Sequence, residues 1–231
     1  MKHLLDLENW DRKDHFNFFK NFDEPFFGIT VEIDCTKAYD FCKRNDTSFF
    51  LYYLHKSLVA ANKIEAFRYR ISEDQIFVFD QINASPTINR ANGTFGFSYM
   101  DYFADFSTFE DNAKTAIEKV QNSTGLIPSI SGENVIHYSS IPWINFTSLS
   151  HARNFSFKDS CPKISFGKMS VSNSKRTMPV SIHVHHGLMD GFHVSQFIDM
   201  FHHICQSFDN KQFACIDFCD ISKAFDRVWH K

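Results

Sequence analysis

The chain has 231 residues, of which 43% are apolar and 28 are phenylalanine. That length and apolar content exclude a disordered chain and suit one domain with a real core. Its 24 basic and 27 acidic side chains leave a net charge of −3, so no basic field exists to hold nucleic acid.

Met1 to Glu8 meets charge within the first six residues and carries no apolar leader core. No apolar run approaches the roughly 20 residues that cross a bilayer. No leader and no membrane span are therefore expected, and a cytoplasmic location is. Cys35, Cys42, Cys161, Cys205, Cys215 and Cys219 are scattered, without a C-x-x-C pair. Free thiols in a reducing compartment are expected rather than a disulfide frame.

Residues 47–62 read as a largely buried helix, with Thr47 as its N-cap. Its apolar positions, Phe49, Phe50, Leu51, Leu54, Leu58 and Val59, cover more than one face. Gln75 to Phe79 is short and β-prone, as are Asn134 to Tyr138 and Ile144 to Phe146. Between them, Phe106, Phe109, Ala113, Ile117 and Val120 recur at helical steps, and Ser107 with Glu110 fits a capping box. From Pro179 to His185 the chain alternates: Val180, Ile182 and Val184 point one way, and Ser181, His183 and His185 the other. Gly187 and Gly191 bracket a turn, after which Val194, Phe197, Ile198, Phe201, Ile204 and Phe208 keep helical spacing. Strands mixed with long helices predict an α/β fold, a two-layer sandwich of a mixed sheet and covering helices.

The densest chemistry lies from Ile182 to Gly191, where a strand ends, a turn follows and a helix begins. On the residues alone, three readings stand. A neutral histidine there can act as general base, taking the proton of an alcohol that attacks a thioester. His183, His185 and His186 can instead hold a metal, recruiting Asp190 and His193, although no H-E-x-x-H is present. Or they are simply hydrogen-bonded histidines at a strand end.

His185-His186-x-x-x-Asp190-Gly191-Phe192-His193-Val194 resembles the H-H-x-x-x-D-G-F-H-V signature of the type A chloramphenicol acetyltransferases. Other stretches follow in the family's order. Asn9-Trp10-Asp11-Arg12 to His15-Phe16 is similar to N-W-x-R-x-x-H-F. Glu65 to Arg68 with Phe77 to Asp80 is similar to E-F-R…W-D, and Ser139 to Phe146 to S-x-x-P-W-x-x-F.

The resemblance implies a chloramphenicol acetyltransferase-like fold over residues 1–210. It implies transfer of acetyl from acetyl-CoA, the co-substrate, to the primary hydroxyl of chloramphenicol, without a metal. His186 would be the base and Ser139 the hydroxyl that stabilises the oxyanion. Asp190 and Arg12 would form a buried ion pair that fixes the turn carrying the base. Phe18, Phe19, Phe27, Thr94, Phe95, Tyr102 or Phe103, Leu149, His151 and Ser165 fall where the family binds its substrate. A homotrimer with active sites between subunits is implied as well. The sequence departs from the pattern at His151 (usually leucine), Ser165 (usually threonine) and Met169 (usually tyrosine). Those departures keep another small alcohol in play as acceptor, and the histidine cluster keeps a non-catalytic, His-rich metal-binding protein as a second alternative.

Residues 211–231 lie beyond the family pattern. Asp220 to His230 resembles the D-x-S-K-A-F-D-x-V motif of retroelement reverse transcriptases. Some twenty residues cannot build a polymerase, so a fused remnant without polymerase activity is expected.

Overall fold

The computed structural model describes residues 1–126, 132–156 and 158–207. The tail from residue 211 onward therefore lies outside the described residues. The elements run, in chain order, β1 (Lys2–Leu4), α1 (Lys13–Phe19), β2 (Phe26–Asp34), α2 (Thr36–Arg44) and α3 (Phe49–Lys63). After a short 3-10 turn at Glu65–Arg68 come β3 (Tyr69–Ser72), β4 (Gln75–Phe79), β5 (Asn83–Asn89), β6 (Phe95–Phe97) and α4 (Phe106–Gln121). β7 (Val135–Ser140), β8 (Lys163–Phe166), β9 (Ser170–Ser172), β10 (Lys175–His185) and α5 (Gly191–Gln206) complete it.

The main sheet orders its strands β2-β10-β8-β7-β5-β6, with β9 paired to β10. β7 runs parallel to both β8 and β5, and the remaining pairs are antiparallel. The sheet is therefore mixed, as expected. A small antiparallel sheet, β1-β4-β3, flanks it and was not foreseen.

One face of the main sheet is the apolar floor of the helix layer. Ile136, Tyr138, Ile164, Phe166, Val180, Ile182 and Val184 join one cluster with Leu54 and Leu58 of α3 and Val194, Phe197 and Phe201 of α5. Since strand side chains alternate, the intervening positions must emerge on the other face. They are Ser139 and His137 on β7, Ser165 and Lys163 on β8, and Ser181, His183 and His185 on β10. The connection from residue 141 to 162 folds over that polar face. The ring of His151 meets that of His183 edge-on at 4.8 Å. The Arg153 guanidinium sits 3.6 Å over the Phe26 ring and pairs with Glu24.

Several local expectations need correction. The N-cap of α3 is Ser48, whose hydroxyl accepts from the Leu51 N–H, and not Thr47, whose hydroxyl donates to the Asn45 carbonyl. α4 is capped by Asp105, which accepts from Thr108, rather than by a Ser107–Glu110 box. A carboxylate outcompetes the hydroxyl two residues later, and Glu110 turns to the Ser48 N–H and to Lys114. Ile144 to Phe146 is not a strand. Behind Pro142 the chain turns, with the Ile144 N–H on the Ile141 carbonyl and the Lys168 N–H on the Ile144 carbonyl.

Candidate active site

β10 delivers the histidine segment to one end of the sheet. His185 closes the strand opposite Phe26 and is 4% exposed. Its Nδ1 accepts the Gly187 N–H at 3.1 Å, which folds the chain back immediately after it. Desolvation pushes its pKa down to about 4, so it stays neutral and structural. A side chain at position 187 would come within 3.0 Å of the His185 ring and 3.4 Å of the Phe16 backbone, so glycine lets the turn pack against α1.

His186 then emerges on the other side. Its ring stacks on Phe19 at 4.3 Å and meets Phe27 at 4.6 Å, and its buried Nδ1 has no hydrogen-bond partner among the described residues. Its backbone is held twice: the His186 N–H donates to the Pro25 carbonyl, and its carbonyl accepts from Arg12 at 3.1 Å. The same guanidinium donates to Asp190 at 2.5 Å.

Asp190 is also the N-cap of α5, accepting the Phe192 N–H at 3.0 Å, with His193 Nδ1 at 2.8 Å from its Oδ1. The Asp190 N–H also reaches that Nδ1 at 3.3 Å, which closes a capping box. Burial works against the Asp190 charge, but the His193 hydrogen bond and the Arg12 cation prevail and hold its pKa at about 2. The pair is less buried than expected: Arg12 is 13% exposed and Asp190 34%.

Ser139 lies elsewhere. It pairs with Ser165, which pairs in turn with Ser181, so the three hydroxyls form a row across the polar face. Ser165 and Ser181 are fully buried, and their hydroxyls lack partners among the described residues. Ser140 points the opposite way, its Oγ 2.9 Å from the Tyr53 hydroxyl. His186 stands five residues past Ser181 and two strands away from Ser139, on the order of 20 Å apart within one chain. The two expected catalytic groups are thus not brought together by a single chain.

The other expected site residues divide between these two ends. Phe19 and Phe27 clasp the base itself. Phe18 is 65% exposed on the outer side of α1. Thr94 is exposed on the β5–β6 turn, bonded to Asn92, at the sheet edge remote from β2. Tyr102 and Phe103 precede α4, and the Phe103 carbonyl contacts His55 Nε2 at 2.8 Å. Leu149 is half-buried on the covering connection.

His151 borders a cleft of about 210 Å³ that it shares with Glu24, Gly28, Arg153, Lys163 and His183. Its buried Nε2 has no partner among the described residues. Desolvation, reinforced by the His183, Lys163 and Arg153 charges, pulls its pKa down to about 4. Gly28 makes room here, because a Cβ would come within 2.5 Å of the His183 ring.

Period-2 alternation, applied to β7 and β8 as it was to β10, would have found the polar partners His137 and Lys163. The histidines of the 183–193 segment diverge, and no group of three metal-ligating side chains forms around them among the described residues.

A mixed sheet with helices on one face, and a strand-end histidine braced by an arginine–aspartate pair, define an acyltransferase. A solved structure described as chloramphenicol acetyltransferase superposes with a TM-score of 0.81 at 33% identity, covering 89% of this chain and 100% of that one. The chloramphenicol acetyltransferase family model matches residues 2–202. A chloramphenicol acetyltransferase of Staphylococcus intermedius is 32% identical over 212 residues, 90% of this chain and 97% of that protein. Chloramphenicol acetyltransferase 3 of Escherichia coli is 28% identical over 206 residues, 88% of this chain and 96% of that protein. The chain belongs to the chloramphenicol acetyltransferase family.

Proposed function

We propose that the protein transfers the acetyl group of acetyl-CoA to the primary hydroxyl of chloramphenicol. The observation that carries this reading is the braced His186 ring between Phe19 and Phe27, on a chain matched to the family nearly end to end. His186 removes the hydroxyl proton, and the oxygen attacks the thioester carbonyl directly. The Ser139 hydroxyl of a second copy donates to the oxyanion that develops, an interaction worth about 2.7–4 kcal/mol of barrier. Collapse of the tetrahedral adduct expels the CoA thiolate, and the proton returns through His186. Arg12 and Asp190 position the base and take no proton. No step calls for a metal.

Sites between subunits follow from the separation of His186 and Ser139 within one chain, and a trimer is the assembly proposed. Among the described residues β2 ends the main sheet, which suits it to meet a second copy. The enzyme unit is residues 1–210, with 211–231 a dispensable tail: truncation after Asn210 leaves turnover intact. A cytoplasmic site of action fits the free Cys35, Cys42, Cys161 and Cys205. Among the described residues no helix is long and apolar enough to cross a membrane.

The test is thiol release from acetyl-CoA with chloramphenicol, wild type against His186→Ala. The variant should lose at least about 10²-fold in rate; wild-type turnover in it overturns the base assignment. One observation favours a second acceptor. His151, whose buried Nε2 has no hydrogen-bond partner among the described residues, lines a polar cleft that suits an alcohol bearing an extra hydrogen-bonding group. Turnover with such alcohols but not with chloramphenicol would select it.

A further inference from the structure

Far apart in sequence, His137 of β7 and Asp159 and Cys161 of the connection before β8 bring one nitrogen, one carboxylate oxygen and one sulfur within 4.8 Å of one another. We propose that these three side chains form a binding site for a borderline-soft divalent cation such as zinc, separate from the acyl-transfer site.

The donor set is chemically apt. Zinc takes histidine nitrogen, thiolate and carboxylate together, with donor atoms about 3.5 Å apart around a tetrahedral ion. Small side-chain rotations close the present separation. All three residues are half-buried rather than exposed, so solvent competes weakly. The Cys161 thiol contacts the Glu133 carbonyl and would release its proton to solvent as the thiolate binds the ion. A water completes the fourth position.

The site is also positioned already. The Cys161 N–H donates to Asp159 Oδ1 at 2.8 Å, fixing the two loop ligands relative to each other. The Lys163 ammonium, paired with Asp159, and the buried Arg70 guanidinium oppose a dication, so the affinity is that of a three-ligand site partly offset by nearby cations. An ion here would pin the 141–162 connection to β7, about 7 Å along the strand from Ser139. Its role is structural, on the cover of the polar face.

The experiment uses full-length protein stripped by chelator and titrated with zinc against a chromophoric chelator. One zinc per chain is expected, weakened at least tenfold in each of His137→Gln, Asp159→Asn and Cys161→Ser. Cobalt loading should give a near-ultraviolet thiolate-to-cobalt band that Cys161→Ser abolishes. Lys163→Gln, which removes an opposing cation, should tighten binding; no tightening would place the ion away from Asp159. Thermal unfolding of the metal-free variants checks that each is folded, and the near-isosteric Cys161→Ser keeps the test decisive. No saturable binding by folded wild type, or undiminished binding in all three ligand variants, overturns the site.

Discussion

Ser139 and Ser140 are neighbours with opposite fates, because a strand sends successive side chains to opposite faces. Ser140 is used by Tyr53 inside the helix-side core, and Ser139 joins the Ser165 row on the polar face. Their substitutions should therefore separate. Ser139→Ala is expected to cut kcat about 10²–10³-fold with melting temperature unchanged. Ser140→Ala should cost about 1 kcal/mol of stability, measured by urea unfolding, and leave kcat nearly intact. The reverse pattern would show that the register carries the other serine to the substrate. Arg12 and Asp190 belong at this scale too. With Asp190 a third exposed, breaking the pair falls between the values for surface and buried ion pairs, about 1–3 kcal/mol. Asp190→Asn should lose that stability and lower kcat more than it raises KM, since it loosens the turn and touches no substrate.

Element boundaries show what a linear pattern can and cannot carry. The turn at His186 to Asp190 and the start of α5 were legible, because a strand end, a glycine and an N-cap act within a few residues. The caps of α3 and α4 were misplaced by one or two positions, where several acceptors compete for the same N–H groups. Ser48→Ala should destabilise by about 1 kcal/mol and Thr47→Ala by much less, as read from the denaturation midpoint. Ile144 to Phe146 looks β-prone yet turns, since the Ile144 N–H is taken by the Ile141 carbonyl and the Ile144 carbonyl by the Lys168 N–H, beyond β8. The covering connection brings His151 onto His183 and Asp159 near His137. Nothing in the spacing of those residues announces a contact, because register between strands is set by nonlocal packing.

At the scale of the whole molecule, burial on both faces of the sheet leaves a titration signature. His55, His137, His151 and His185 are each held down to about 4 from 6.5, in every case chiefly by desolvation. Unfolded, they bind protons below 6.5; folded, they resist until about 4. Their contribution is thus full above pH 6.5 and is lost as pH falls from 6.5 toward 4, at about 1.4 kcal/mol per pKa unit at most for the buried His55, His137 and His185 and less for His151, which solvent screens. Urea unfolding across that window should show a continuous decline, and a flat profile would mean these histidines are solvated.

His186 follows the end of β10, whereas Ser139 of β7 is level with Ser181 in the middle of β10, two strands across and on the order of 20 Å from His186 within one chain. The site proposed above draws these two groups from two copies, a pairing that the family resemblance implies and no spacing in the sequence could reveal. Two inactive variants should then rescue each other. Co-refolded His186→Ala and Ser139→Ala chains assemble at random into cyclic trimers, and a site is intact when its histidine and serine come from the right two chains, in about a quarter of cases. Activity near that fraction of wild type is expected from the mixture, against almost none from either variant alone. A mixture as inactive as its components would place both groups in one chain.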